Sequence, residues 1–194
     1  MSRAWRAALV TLVGMIALSA GCGTTPDSTF YTLRAADPAP AASASVSVMV
    51  GPVTLPEAVD RPQLVVSTGG NRVEIAEFHR WAEPLKSEVP RVIASHLGRQ
   101  LGTTRAAIFT DVSVSNPDYR VLIDVQRFEL RRGEQTVVEA LWTVHARAGG
   151  TRTGHTWAQE RVADKSYEAM VVAQSRALAA VSQAVGDAIE SLQR

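Results

Sequence analysis

The sequence has almost no cysteine and no excess of either charge. Its 194 residues include a single cysteine, and 20 lysines and arginines stand against 19 aspartates and glutamates. One cysteine excludes an intramolecular disulfide, so stability must come from side-chain packing. A balanced charge without a clustered basic face gives no indication of nucleic-acid binding. The sequence has no internal repeat at a fixed period, and its length suits one domain.

Recognisable catalytic and metal-binding patterns are also missing. The four histidines are isolated, and none occurs in a metal-binding spacing such as His-Glu-x-x-His. No Gly-x-Ser-x-Gly nucleophile turn is present, and the glycines at positions 69, 70, 149, 150 and 154 are typical of turns rather than of phosphate-binding loops. The sequence therefore predicts no catalytic residues, no metal and no cofactor. An exported hydrolase remains the less favoured alternative.

The N-terminal segment, residues 1–21, has the layout of a bacterial lipoprotein signal peptide. Arg3 and Arg6 precede an apolar run from about Ala7 to Ala20, and small residues come before the expected cut. This run is shorter than the roughly 20 apolar residues that a membrane-spanning helix needs. We therefore expect cleavage after residue 21, which would leave a mature chain beginning at Cys22.

Cys22 is the predicted site of lipid attachment. It ends the segment Leu18-Ser19-Ala20-Gly21-Cys22, in which Ser19 occupies a position where lipoprotein signals more often have leucine. The thiol would carry diacylglycerol and the new amino terminus a further acyl chain, and two or more chains make anchoring stable. The alternative is an ordinary secretory signal followed by an unrelated cysteine.

The mature chain is predicted to begin with a lipidated flexible tether, residues 22–45, followed by one domain, residues 46–194. The tether contains polar residues and a stretch rich in Ala, Pro and Ser, and such a composition buries too little apolar surface to fold. Phe30-Tyr31-Thr32-Leu33 interrupts it with a strand-like patch that could dock on the domain.

Two segments have the three- and four-residue spacing of apolar side chains that indicates a helix. The first runs from Leu85 to Leu101, although Pro90 within it suggests that the helix begins only near Ser87. The second runs from Tyr167 to Leu192 and is rich in alanine and valine. We expect it to pack on a sheet. A membrane-surface helix is less favoured, because this segment carries too few basic residues.

Alternating apolar residues predict several strands before and after the first helix. The clearest hairpin joins Tyr119–Leu130 to Thr136–Arg147, and a further strand is expected at about Thr156–Val162. Strands and helices in this order predict an α/β (α+β-like) single domain, in which a mixed β-sheet is packed by two main helices.

The segment Phe78-His79-Arg80-Trp81 is the strongest candidate for partner binding. It lies between a predicted strand and a helix, and aromatic and arginine side chains are common in interaction hot spots. In the competing interpretation, Phe78 and Trp81 fill the strand–helix junction, and Arg80 pairs with Glu77 or Glu83. Both interpretations hold if one of the two aromatic rings points into the junction and the other points toward a partner.

Several segments together resemble the PqiC family, the ABC-type transport auxiliary lipoprotein components. The resemblance is carried by Val50-Gly51-Pro52-Val53 with Leu55-Pro56, by Asp60-Arg61-Pro62-Gln63-Leu64-Val65, and by Glu77-Phe78-His79-Arg80-Trp81-Ala82-Glu83-Pro84-Leu85. Phe30-Tyr31-Thr32-Leu33, soon after the predicted lipidated cysteine, also fits the start of such proteins. The resemblance covers about residues 22–192.

The resemblance implies a lipid-anchored outer-membrane protein that faces the periplasm and has an α/β domain. Such proteins are non-catalytic accessory subunits of ABC transport systems, whose periplasm-spanning component is an MCE-domain protein. These systems move lipids or other hydrophobic molecules and support envelope integrity. Self-association into a homo-oligomer is compatible with the resemblance, and Gly23 is consistent with sorting to the outer membrane. The alternative is a structural envelope lipoprotein that stabilises another outer-membrane assembly.

Overall fold

The computed structural model describes residues 25–35, 44–111 and 115–194. The predicted signal peptide and Cys22 lie outside these ranges, so cleavage and lipidation stay predictions. The described elements are, in chain order, β1 (Thr29–Tyr31), β2 (Val48–Thr54), β3 (Gln63–Gly69), β4 (Arg72–Trp81), α1 (Leu85–Gln100), β5 (Ala106–Ile108), β6 (Tyr119–Arg131), β7 (Gln135–Ala146), β8 (Thr151–Arg161) and α2 (Tyr167–Leu192).

Strand β6 is central to the sheet. It pairs antiparallel with β7 over nearly its whole length, and β8 pairs antiparallel with β7 on the outside. On its other side, the first half of β6 pairs parallel with β2, and its end pairs parallel with β3. β5 adds to β2, while β4 and then β1 add to β3. This mixed sheet with two helices confirms the predicted α/β class.

Both helices pack on the sheet and on each other. Helix α2 lies mainly on β7 and β8, and α1 lies on β2 and β5. The predicted apolar stripe of α2 is confirmed, since six of its members are buried: Met170, Ala173, Ala177, Val181, Val185 and Ile189. Neither helix in the described part of the chain is long and apolar enough to cross a membrane.

Two element boundaries differ from the expectation. Helix α1 begins at Leu85 rather than near Ser87 and continues through Pro90. The missing Pro90 amide leaves the Lys86 carbonyl without its helical partner, but Lys86 is exposed in the first turn, where water can satisfy that group. Strand β8 begins at Thr151 rather than at Thr156, because it pairs with β7 as far as His145.

Candidate partner-binding surface

The segment between residues 29 and 35, which falls inside the predicted tether, packs on the domain. Strand β1 pairs parallel with the end of β4, with Thr29 opposite His79 and Tyr31 opposite Trp81. Leu33 follows β1 and is buried in the main core. The boundary between tether and domain after residue 45 stays a prediction. Because β1 lies on the domain, the chain between Cys22 and the first docked strand has only six residues, 23–28.

An irregularity in β4 positions the predicted partner-binding residues. Leu64 of β3 pairs with Ala76, whereas the adjacent Gln63 pairs with Arg80, so residues 77–79 lie between two registers. Bulges of this kind bend a strand and change the direction of its side chains. Phe78 and His79 are therefore displaced from the regular ladder at the point where β1 joins β4.

Trp81 is a core residue. Its side chain is only 5% exposed, and its ring meets that of Phe128 edge to face with centroids 6.2 Å apart. Its backbone N–H donates to the Pro62 carbonyl at 2.7 Å. The indole thus fills the strand–helix junction and has no exposed face for a partner, which leaves Phe78, His79 and Arg80 as the hypothetical contacts.

Phe78 and Arg80 lie on the surface side of this junction. Phe78 is 36% exposed, and Arg80 is half-buried and opposite Phe30, which is 62% exposed. Residues paired across strands share a face of the sheet, so Phe30 and Arg80 point to the same side. Arg80 Nε donates to the Glu77 carbonyl at 3.0 Å rather than to a carboxylate. The result is an arginine beside two exposed phenylalanines.

His79 holds β1, β4 and the start of α2 together. Its Nδ1 hydrogen-bonds the Tyr31 hydroxyl at 2.8 Å, and its ring stacks on Tyr167 with centroids 3.7 Å apart. The Tyr167 hydroxyl donates to Glu74 at 3.1 Å and accepts from Arg132, whose guanidinium lies over the ring. Burial raises the pKa of both tyrosines, so both hydroxyls stay protonated. His79 therefore has a mainly structural environment.

The structure brings in residues that sequence reasoning did not assign to this surface. Phe30 was part of a strand-like patch, but nothing in the local sequence indicated that it would lie opposite Arg80, fifty residues away. Tyr167 lies further still along the chain. In the described residues, no group of His, Asp or Glu side chains is arranged to hold a metal ion. The arrangement suits binding of another molecule through apolar and cationic side chains.

A buried glutamate on α1 secures the chain that follows β1. Glu88 Oε1 accepts the Leu33 N–H at 2.8 Å, while its other oxygen is buried without a hydrogen-bond partner among the described residues. Next to it, the Arg34 N–H donates to Ser175 Oγ of α2 at 2.9 Å. Burial raises the pKa of Glu88, and the Leu33 hydrogen bond opposes this only in part.

Glu88→Gln is expected to raise the melting temperature at neutral pH. Because the folded-state pKa of Glu88 is raised, the native state binds more protons than the unfolded state above the ordinary carboxyl pKa, and stability falls as the pH increases through this window. Glutamine keeps an oxygen for Leu33 and carries no charge. The gain should therefore shrink toward acidic pH in thermal unfolding measured across this range.

Glu83→Gln is the matched control on the same side of the molecule. Glu83 is exposed, and its hydrogen bond to Arg91 lowers the pKa of its carboxyl, so its neutralisation should give no gain at neutral pH. An unchanged pH dependence in Glu88→Gln would contradict the assignment.

Comparison with known proteins identifies the family of this chain. A family model described as the ABC-type transport auxiliary lipoprotein component matches residues 31–186. No curated protein matches the sequence. Among solved structures, an uncharacterized protein aligns with a TM-score of 0.70 and 18% identity over 84% of this chain and 99% of its own.

A second crystal structure shows the same fold. A protein of Xanthomonas campestris from the DUF330 family aligns with a TM-score of 0.67 and 18% identity, over 85% of this chain and 97% of its own. At this identity, the two structures support the architecture alone. The family match covers well over half of the sequence, and the chain therefore belongs to the ABC-type transport auxiliary lipoprotein components.

Proposed function

We propose that this protein is an outer-membrane lipoprotein that faces the periplasm and serves as a non-catalytic accessory subunit of an MCE-type ABC transport system. The observation that carries the proposal is the family match over residues 31–186, directly downstream of a lipoprotein signal layout that ends at Cys22. Its role is to bind the periplasm-spanning MCE-domain protein at the outer membrane. The system would move lipids or other hydrophobic molecules.

The surface at the β1–β4 junction is the proposed contact for this partner. Phe30 lies opposite Arg80 on the neighbouring strand and Phe78 precedes Arg80 by two residues, and both rings are exposed. Aromatic and arginine side chains dominate the binding energy of many protein interfaces. Trp81 and His79 stabilise the strands beneath them, so the exposed rings stand on a rigid base. Preorganised anchors lose less conformational entropy when a partner binds.

Site-specific photo-crosslinking in intact cells tests the proposal. A photoreactive amino acid at Phe78 is expected to crosslink to the MCE-domain protein at native expression. The same photoreactive amino acid in place of Phe109 should give much less crosslinked product, because Phe109 is exposed beside β5 at the opposite end of the sheet. Absence of a crosslink from position 78, together with intact transport in a deletion strain, would discard the assignment.

The predicted anchor is tested in the same cells. Mass spectrometry of the native N-terminus is expected to show an acylated Cys22, and Cys22→Ala should release the protein from the membrane because the acyl chains hold it there. An unmodified cysteine, or a cut elsewhere, would remove the outer-membrane part of the proposal.

A further inference from the structure

A second surface lies beside β1, in a groove between residues 29–35 and the two helices. We call it the anchor-side groove, because β1 is the described element nearest to Cys22 in sequence. Its floor and walls come from β1 and the chain after it, from the last turns of α1, and from the first half of α2. The residues used below are Phe30, Arg34, Arg99, Glu168, Val171, Val172 and Arg176.

The groove exposes apolar side chains that the fold could have buried. Phe30 remains 62% exposed and Val172 48% exposed, above a floor that includes the buried Val171. Exposed apolar groups are ordinary when scattered singly, but here two of them border the same groove. Phe30 lies at the border between this groove and the junction surface, whereas Val172 belongs to the groove alone.

Basic side chains surround these apolar groups. Arg34, Arg99 and Arg176 line the groove, against a single acidic residue, Glu168. Arg176 also pairs with Glu160 at 3.1 Å, which holds its guanidinium at the groove edge. The three arginines come from three separate segments, so the basic character is a product of the tertiary structure.

Two of the three acidic residues of α2, Asp187 and Glu190, lie away from the groove. Asp187 follows Arg176 by eleven positions, roughly 16 Å along the helix axis, and accepts a hydrogen bond from Gln100 of α1. Glu190 lies still further along the helix. The first half of α2 therefore contributes one acidic and one basic side chain, Glu168 and Arg176, to the groove, whereas the second half carries the acidic residues Asp187 and Glu190.

The short connection to Cys22 fixes where this groove would lie. Seven peptide steps join Cys22 to Thr29, which span at most about 25 Å when fully extended and about 15 Å as a flexible coil. If Cys22 is acylated, as the proposed function requires, the groove cannot move far from the bilayer surface. Anionic headgroups attract basic residues at such a surface, within about a Debye length.

We propose that the anchor-side groove is a membrane-contact surface, which binds anionic phospholipid headgroups through Arg34, Arg99 and Arg176 and places Val172 at the interface. The occupant is the bilayer that holds the anchor. Acyl chains and a basic patch together give firmer attachment than either alone. The contact would also orient the domain, with the first half of α2 toward the membrane and the acidic half away from it.

The single native cysteine makes a site-specific test practical. In the acylated full-length mature protein the Cys22 sulfur is occupied by lipid, so an added cysteine is the one free thiol. We would attach a fluorophore at Val172→Cys or at Trp157→Cys and reconstitute each protein in vesicles containing a headgroup-labelled quencher lipid. The two positions are matched in exposure, at 48% and 49%, but Trp157 lies on the sheet face opposite the helices.

Quenching at position 172 is expected to exceed that at position 157 several-fold in vesicles of phosphatidylcholine with phosphatidylglycerol. The difference should decrease in phosphatidylcholine alone and at high salt, because the headgroup contact is electrostatic. Arg34→Glu in the Val172→Cys protein should reduce quenching. Arg72→Glu, at the exposed first residue of β4, should leave it unchanged. Thermal unfolding would verify that both variants are folded.

Equal quenching at the two positions would overturn the proposal. So would quenching at position 172 that changes neither with the charge of the lipid nor with the Arg34→Glu substitution. Failure of this membrane contact can be distinguished from failure of the proposed function. Acylation is verified by mass spectrometry before labelling, and the crosslink from Phe78 to the MCE-domain protein does not use the groove arginines. A failed quenching test with both of these intact would remove the membrane contact alone.

Discussion

Trp81→Ala is expected to lower the free energy of unfolding by about 3 to 5 kcal/mol, the usual cost of removing a large buried aromatic side chain. The indole is 5% exposed, packs edge to face on Phe128, and lies where β1, β4 and the start of α1 meet. Its removal leaves a cavity that the surrounding strands cannot close without breaking the β1 pairing. Urea unfolding of the mature protein measures the loss.

Phe78→Ala is the matched variant three residues away. The ring is partly exposed, so truncation should change the melting temperature little while reducing the amount of the proposed MCE-domain partner that co-purifies with the protein. The pair separates a packing role from a binding role within one short segment. Similar losses of stability in the two variants would contradict the division of roles. A Phe78→Ala protein that keeps both stability and partner binding would remove Phe78 from the proposed interface.

Gly154→Ala is expected to destabilise the protein by about 1 to 3 kcal/mol, the typical cost of overpacking. Gly154 of β8 pairs with Trp142 of β7, and a Cβ at this position would overlap the six-membered ring of that indole. The ring lies over the glycine while its Nε1 donates to Thr156 Oγ1 at 2.9 Å. The added methyl group would displace the ring and break this hydrogen bond.

A double-mutant cycle identifies the indole as the cause. In a Trp142→Ala background the added methyl group meets no ring, so the penalty of Gly154→Ala should largely disappear. Thr153→Ala, at the neighbouring exposed position of the same strand, should change stability little. Chemical unfolding of the four proteins of the cycle measures the coupling. Additive effects of the two substitutions would show that the penalty arises elsewhere.

The strongest local patterns predicted the framework of the fold. The alternation along β6 and β7 predicted a long hairpin, and the two strands pair over nearly their whole lengths. The apolar stripe of α2 predicted its buried face. These predictions were correct because the burial of one face of a strand or helix imposes a period of two or of 3.6 residues directly on the sequence. The family resemblance was carried by local segments in the same way and is confirmed by the family match.

Boundaries were less predictable where the tertiary environment offsets a local signal. Gly154 suggested a turn before β8, yet it lies inside the strand because Trp142 of β7 covers it. Pro90 suggested a late start for α1, yet the helix passes through it because the only carbonyl that loses its partner is at an exposed first turn. Both the ring that covers Gly154 and the solvent exposure of the first turn of α1 are set by the packed structure and not by local propensity.

The sequence by itself determined the fold class, the two helices, the main hairpin and the prediction of an anchor at Cys22, since each depends on neighbouring residues or a regular spacing. Only the tertiary structure decided that β1 packs on β4, that Trp81 is buried while Phe78 is exposed, and that arginines from three segments line one groove. Those outcomes depend on contacts between residues far apart in the chain, which no local pattern specifies.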